Sequence, residues 1–145
     1  MSIVDELLAQ PGLYVGIDDN DRSETGALAR LQIAVLPGRS GVSIDYEIFH
    51  VETPEHPRSH AEHTVIGRTQ AGGALMIVAD VHMGTLTILH EGEPGVFEAG
   101  DEPNAYPMKA VLSVPAPGRL RHSWWYGPPG QDLVEHDVAE LSLVE

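Results

Sequence analysis

The chain has 145 residues and a formal net charge of −14, with 22 Asp and Glu against 8 Lys and Arg. That length builds one domain with a real hydrophobic core, and the acidic balance repels phosphate, so nucleic acid and anionic membrane surfaces are poor partners. There is no Cys, which excludes a disulfide framework, a thiolate metal site and a Cys nucleophile.

The opening Met1-Ser2-Ile3-Val4-Asp5-Glu6 has neither a basic region nor a long apolar run, so a cytoplasmic protein without a membrane span is expected. Ser2 followed three residues later by Asp5 reads as a helix cap, and Val4, Leu7 and Leu8 share one helical face before Pro11-Gly12 stops it. A short amphipathic helix of this kind can cover one end of a larger structure.

Residues 13–18 read as a first strand, and Asp18-Asp19-Asn20-Asp21 as a solvated turn. The turn lacks the Gly and the terminal Glu of a calcium loop. Residues 27–36 form a second strand, with Leu31, Ile33 and Val35 on one face and Arg30, Gln32 and Ala34 on the other. After the turn at residues 37–41, residues 42–51 alternate most clearly. Val42, Ile44, Tyr46, Ile48 and His50 oppose Ser43, Asp45, Glu47 and Phe49. An apolar face that carries Tyr46 and His50 suits a semi-polar cavity.

Thr53 to Pro57 holds two prolines and cannot lie inside a sheet. Residues 59–69 resume as a strand. Residues 74–81 and 85–90 form a central hairpin around a short turn containing Gly84. Short strands follow at 95–98, 108–114 and 119–127, each ended by a Gly or Pro turn or by a proline-containing loop, and the last at 133–144. Leu120, His122, Trp124 and Tyr126 face one way. The total is about ten short strands with no long helix between any two, so sequential antiparallel pairing is the simplest topology. Closure would remove the two open edges that a sheet of this size leaves. The expected fold is therefore all-β, a closed antiparallel up-and-down barrel in one domain, with a β-sandwich as the competitor.

Gly12-Leu13-Tyr14-Val15-Gly16 behind a short helix resembles the Gly-x-Trp-x-Gly opening of calycin barrels, with Tyr in place of Trp. That superfamily includes the lipocalins, the fatty-acid-binding proteins and the nitrobindin-like haem proteins. The resemblance implies a buried Tyr14 at the closed end of the barrel, stacked on Arg119 or Arg121. Val81-His82-Met83-Gly84 is similar to the Trp-His-Met-Gly segment of an uncharacterised bacterial lipocalin-like group. His136-Asp137-Val138-Ala139-Glu140-Leu141 fits the His-x-x-Ala-x-Leu pattern of the last nitrobindin strand, and Ser59-His60-Ala61-Glu62 and Gly72-Gly73 resemble the same group. The glycine-rich opening of nitrobindins is missing, because Ile17-Asp18-Asp19 stands in its place. This second resemblance implies haem ligated by His136 and walled by Met76, Met108, Trp124 and Tyr126.

The expected function is non-catalytic binding of a small, largely apolar or amphipathic molecule. The expected lining is Tyr46, Ile48, His50, Met76, Val78, Asp80, His82, Leu112, His122, Trp124 and Tyr126. No cofactor is required by this reading. Haem through His136 is the first alternative, and a small isomerase or lyase using Asp80 and His82 as an acid–base pair is the second. His56, His60 and His63 lie close to Glu62, but the alternation of a strand sends His60 and His63 to opposite faces, and there is no His-Glu-x-x-His element. There is no Gly-x-Ser-x-Gly and no phosphate-binding glycine loop. His50, His82, His122 and His136 fall on or beside apolar faces, so occupancy of the cavity is expected to depend on pH. A homodimer is left open.

Overall fold

The computed structural model describes residues 2–20, 26–50, 58–100 and 106–144. His56, the proline-rich stretch around it and Asp21 lie outside them. Helix α1 (Ile3–Ala9) is followed by ten strands: β1 (Gly12–Asn20), β2 (Ala27–Val35), β3 (Gly41–Phe49), β4 (Arg58–Arg68), β5 (Ala74–Asp80), β6 (Thr87–Glu91), β7 (Val96–Ala99), β8 (Met108–Ala116), β9 (Arg119–Tyr126) and β10 (Val134–Leu143). Each strand pairs antiparallel with its sequence neighbours, and β1 pairs with β10 to close the barrel. Closure gives every strand two partners and leaves no edge for another chain.

The inner face follows the alternation. Ala27, Ala29, Leu31 and Ile33 of β2 are buried, as are Val42, Ile44, Tyr46 and Ile48 of β3, Met76 and Val78 of β5, and Leu120 and His122 of β9. Leu31, Ile66, Leu89 and Phe97 are wholly enclosed. Val35 falls on the same face as Leu31 but is exposed at the strand's end.

Helix α1 lies across the end where β1 and β3 begin and β2 and β4 finish. The Ser2 hydroxyl oxygen accepts the Asp5 N–H at 3.2 Å and its O–H donates to the Asp5 carboxylate at 2.8 Å, which gives the helix its N-terminal partner. Ile3, Val4, Leu7 and Leu8 are buried against the barrel. Asp5 is paired with Arg68, and the Gln10 side-chain oxygen accepts the Gly118 N–H at 2.6 Å, so the helix is tied to two hairpins.

The Gly12-to-Gly16 segment has a physical basis at both ends. Gly12 sits at φ 132°, a backbone conformation that side chains rarely adopt. A Cβ on Gly16 would lie 1.9 Å from the Glu140 carbonyl oxygen, so β1 and β10 approach more closely than any side chain allows. Between them, Tyr14 is 3 % exposed and its hydroxyl donates to the Gln10 carbonyl at 2.8 Å. The expected arginine partner is replaced by this backbone oxygen. Arg119 turns to Ser142 and Arg121 to Glu135 and Glu140 on the outer face.

Three local expectations are corrected. The acidic run is strand rather than turn as far as Asn20. β1 continues through Asp18 and Asn20, both buried, while Asp19 faces out. The Tyr46 hydroxyl donates to Asp18 Oδ2 and Asn20 Nδ2 to Asp18 Oδ1, each at 2.7 Å, which lets a carboxylate sit inside. The central hairpin has a longer connection than its glycine suggests, because β5 stops at Asp80. The Asp80 Oδ1 accepts the N–H groups of His82 at 2.7 Å and Met83 at 2.9 Å, an Asx-type turn that bends the chain away from the ladder. Finally, β10 carries a register shift between Glu135 and Asp137. The shift breaks the simple alternation that would group His136 with Val134 and Val138. Val134 is exposed, Asp137 is buried, and His136 is turned toward the interior by the bulge.

Candidate functional site

A cavity of about 720 Å³ opens at the end of the barrel opposite α1. It is framed by the start of β4, the end of β5, the start of β6, the start of β8, the end of β9 and the start of β10. Its walls are Val78, Thr87, Met108, Trp124 and Tyr126, and its rim holds His82, Met83 and Tyr106. Its polar groups are His60, Glu62, Asp80, His136 and Asp137. None of the described lining residues is Lys or Arg.

Of the residues expected at the cavity, Val78, Asp80, His82, Trp124, Tyr126 and His136 line it. Tyr46, Ile48, Met76, Leu112 and His122 face inward but are core, at 1 %, 2 %, 1 %, 2 % and 5 % exposure. Their side chains are covered by other inward-facing residues rather than open to the cavity. His50 is buried at the end of β3, outside the lining.

Besides Asp80 and His82, the cavity holds a second acid–base group, Glu62 with His60. Glu62, Thr64 and Ile66 form the inward set of β4, and His60 continues it; His63 faces outward, with its Nδ1 2.6 Å from Asp45 Oδ1. The signal was present in the sequence, since the same alternation that separates His60 from His63 puts His60 and Glu62 together. Trp124 Nε1 donates to Glu62 Oε1 at 3.1 Å, and His60 Nε2 lies 3.7 Å from the same oxygen, beyond hydrogen-bond distance. Glu62 Oε2 has no hydrogen-bond partner among the described residues. Burial would push the Glu62 carboxyl up, but the facing His60, the His122 ring and the Trp124 N–H outweigh it and hold it below the usual carboxylate value. Burial pulls His60 down, and the Glu62 carboxylate more than reverses this, so the imidazole is raised.

Aromatic rings extend the site. His60 stacks on His82 with centroids 5.3 Å apart, and Tyr126 stacks on His136 at 3.9 Å and 10°. His122 sits between Tyr46 at 5.3 Å and Trp124 at 5.6 Å. Burial drives the His122 pKa down, so this imidazole stays neutral; neither ring nitrogen has a hydrogen-bond partner among the described residues. No group of three or more His, Asp or Glu among the described residues is arranged to hold a metal ion.

No family model matches the sequence, and no curated protein does either. Among solved structures the chain is similar to the crystal structure of Rv2717c from M. tuberculosis, with a TM-score of 0.69 at 16 % identity over 98 % of this chain and 97 % of that one. The likeness is one of fold, a closed antiparallel β-barrel. No described helix is long and apolar enough to cross a membrane, a statement about helices only.

Proposed function

We propose that this barrel binds a small, largely apolar molecule carrying a polar handle and releases it unchanged. The observation that carries the reading is the cavity itself. Its volume of about 720 Å³ lies within the range of ligand pockets, and it combines apolar and aromatic walls with a few convergent polar groups. The isomerase or lyase alternative, with Asp80 and His82 as the acid–base pair, is less favoured, since Asp80 Oδ1 is engaged by two backbone N–H groups. Partners are proposed to be small molecules rather than nucleic acid or membrane, in line with the acidic charge, and a chain without Cys suits a cytoplasmic setting.

Haem held by His136 is a second reading, favoured by one observation: the β10 bulge brings His136 to the cavity wall. The rest of the site does not fit that group. A haem carries two carboxylates of its own, and this cavity presents Glu62, Asp80 and Asp137 with no Lys or Arg among its described lining. The His136 ring is also stacked face to face on Tyr126.

The test uses the neutral dye Nile red and the absorption spectrum of protein expressed with haem available. The binding reading expects colourless protein that takes up the dye, and loss of uptake in Thr87→Trp, where an indole fills the cavity from its wall. A Soret band that disappears in His136→Ala would favour haem instead. Colourless protein that takes up no dye would remove the ligand-binding reading.

A further inference from the structure

The described lining of the cavity is richer in carboxylates than in permanent cations. Glu62, Asp80 and Asp137 line it, and none of the described lining residues is Lys or Arg. Glu62 is the most enclosed of the three, with a side chain 1 % exposed. A carboxylate offers about four lone-pair sites, yet Glu62 accepts one hydrogen bond, from Trp124, and its Oε2 accepts none among the described residues. His60 is held 3.7 Å away, its ring stacked on His82. Trp124, Tyr126 and Tyr106 add ring faces, whose negative quadrupole attracts cations. In a site shielded from water a single fixed charge acts more strongly than on the surface.

We propose that the cavity selects amphipathic cations, a flat apolar body bearing a protonated amine drawn toward Glu62, over neutral or anionic molecules of the same shape. This deepens the binding reading above and rests on it. An ammonium brings up to three N–H donors to a floor that is short of them. An anionic head would face three carboxylates, with the His60 imidazole beside Glu62 and no Lys or Arg among the described lining residues. The aromatic body would lie between Trp124 and the β5–β6 wall, where Val78 and Thr87 leave the room.

Calorimetric titration with three probes of one shape tests the idea: 2-naphthylmethylamine, 2-naphthalenemethanol and 2-naphthoate. The amine is expected to bind about tenfold or more tighter than the alcohol, equivalent to about 1.4 kcal/mol, with the naphthoate weakest. Glu62→Gln should lower amine affinity to that of the alcohol and leave the alcohol within about twofold. Glu47→Gln, on the outer face of β3, should change neither. Alcohol binding as well as the amine would overturn cation selection while leaving the cavity reading intact. Failure of all three probes and of Nile red would overturn the binding reading itself. An equal loss in Glu47→Gln would trace the preference to overall acidity and overturn the proposal. Should Glu62→Gln not fold, the parent protein at high salt decides. Salt screens exposed charge far more than buried charge, so a surviving preference for the amine supports the site and a vanished one overturns it.

Discussion

Tyr46→Phe isolates the buried contact between β1 and β3. The substitution removes one oxygen and keeps the ring, so packing of the 1 %-exposed side chain is preserved. What is lost is the 2.7 Å hydrogen bond to Asp18 Oδ2, in a place where Asp18 is itself 1 % exposed. Burial, followed by the Asp18 carboxylate, pushes the Tyr46 pKa well above its ordinary value, so the phenol is a proton donor throughout the working range. Hydrogen bonds to charged groups contribute about 1.5–3 kcal/mol, and an acceptor left unsatisfied in the interior adds cost. Asp18 keeps Asn20 as a partner on its other oxygen, which holds the expected loss to about 2–3 kcal/mol. For a chain of this length that is a drop in Tm of about 6–10 °C. Urea unfolding followed by the fluorescence of Trp124 and Trp125 gives the value, with the slope m unchanged. A double-mutant cycle with Asp18→Ala should return a coupling of about 1.5 kcal/mol or more. A Tyr46→Phe effect below about 0.5 kcal/mol, or no coupling to Asp18, would show that the carboxylate does not depend on this phenol and refute the reasoning.

Tyr14→Ala should cost about 3–5 kcal/mol in urea unfolding, as for other buried aromatic truncations, whereas Tyr14→Phe, which loses only the bond to Gln10, should cost about 1 kcal/mol; a small effect of Tyr14→Ala would mean the ring is not part of the closed end. Gly16→Ala sets a methyl against the Glu140 carbonyl at 1.9 Å and should destabilise by about 1–3 kcal/mol, with thermal unfolding as the readout and an unchanged Tm as the contrary result. The pH dependence of stability has a defined sign at His122. Burial lowers its pKa from 6.5, against the partial pull of Glu62 and Asp18 and with the help of His60. The unfolded chain then binds more protons as the pH falls below 6.5, and stability declines on the acid side. His122→Phe, which gives up no hydrogen bond, should therefore lose less urea stability than the parent between about pH 7 and pH 5, and an identical decline in both would place the acid sensitivity elsewhere.

Much of the architecture was legible in the chain by itself. Strict alternation in residues 42–48, the short turns and the capped helix point to a helix followed by sequentially paired antiparallel strands, because each is a local rule with a period of two or a fixed offset, while closure rather than a sandwich is settled by the pairing of β1 with β10. Leu120, His122, Trp124 and Tyr126 are a face by the same alternation. Alternation sorts residues into two faces, but it says nothing about how deep along the barrel a residue lies. Nor does it say which inward side chains their neighbours cover: Tyr46, opposite the cavity-lining Glu62, is core together with Met76 and Leu112, while Val78, Trp124 and Tyr126 reach the cavity. It also treats a carboxylate as surface by default. Asp18 and Glu62 are inside because partners 28 and 62 residues away in sequence supply donors to them, and no local pattern announces such a partner. The bulge that carries His136 to the cavity is likewise decided by pairing between strands. Burial of a charged or polar group is a property of the whole closed sheet, since only closure brings the donor, the acceptor and the exclusion of water to one place.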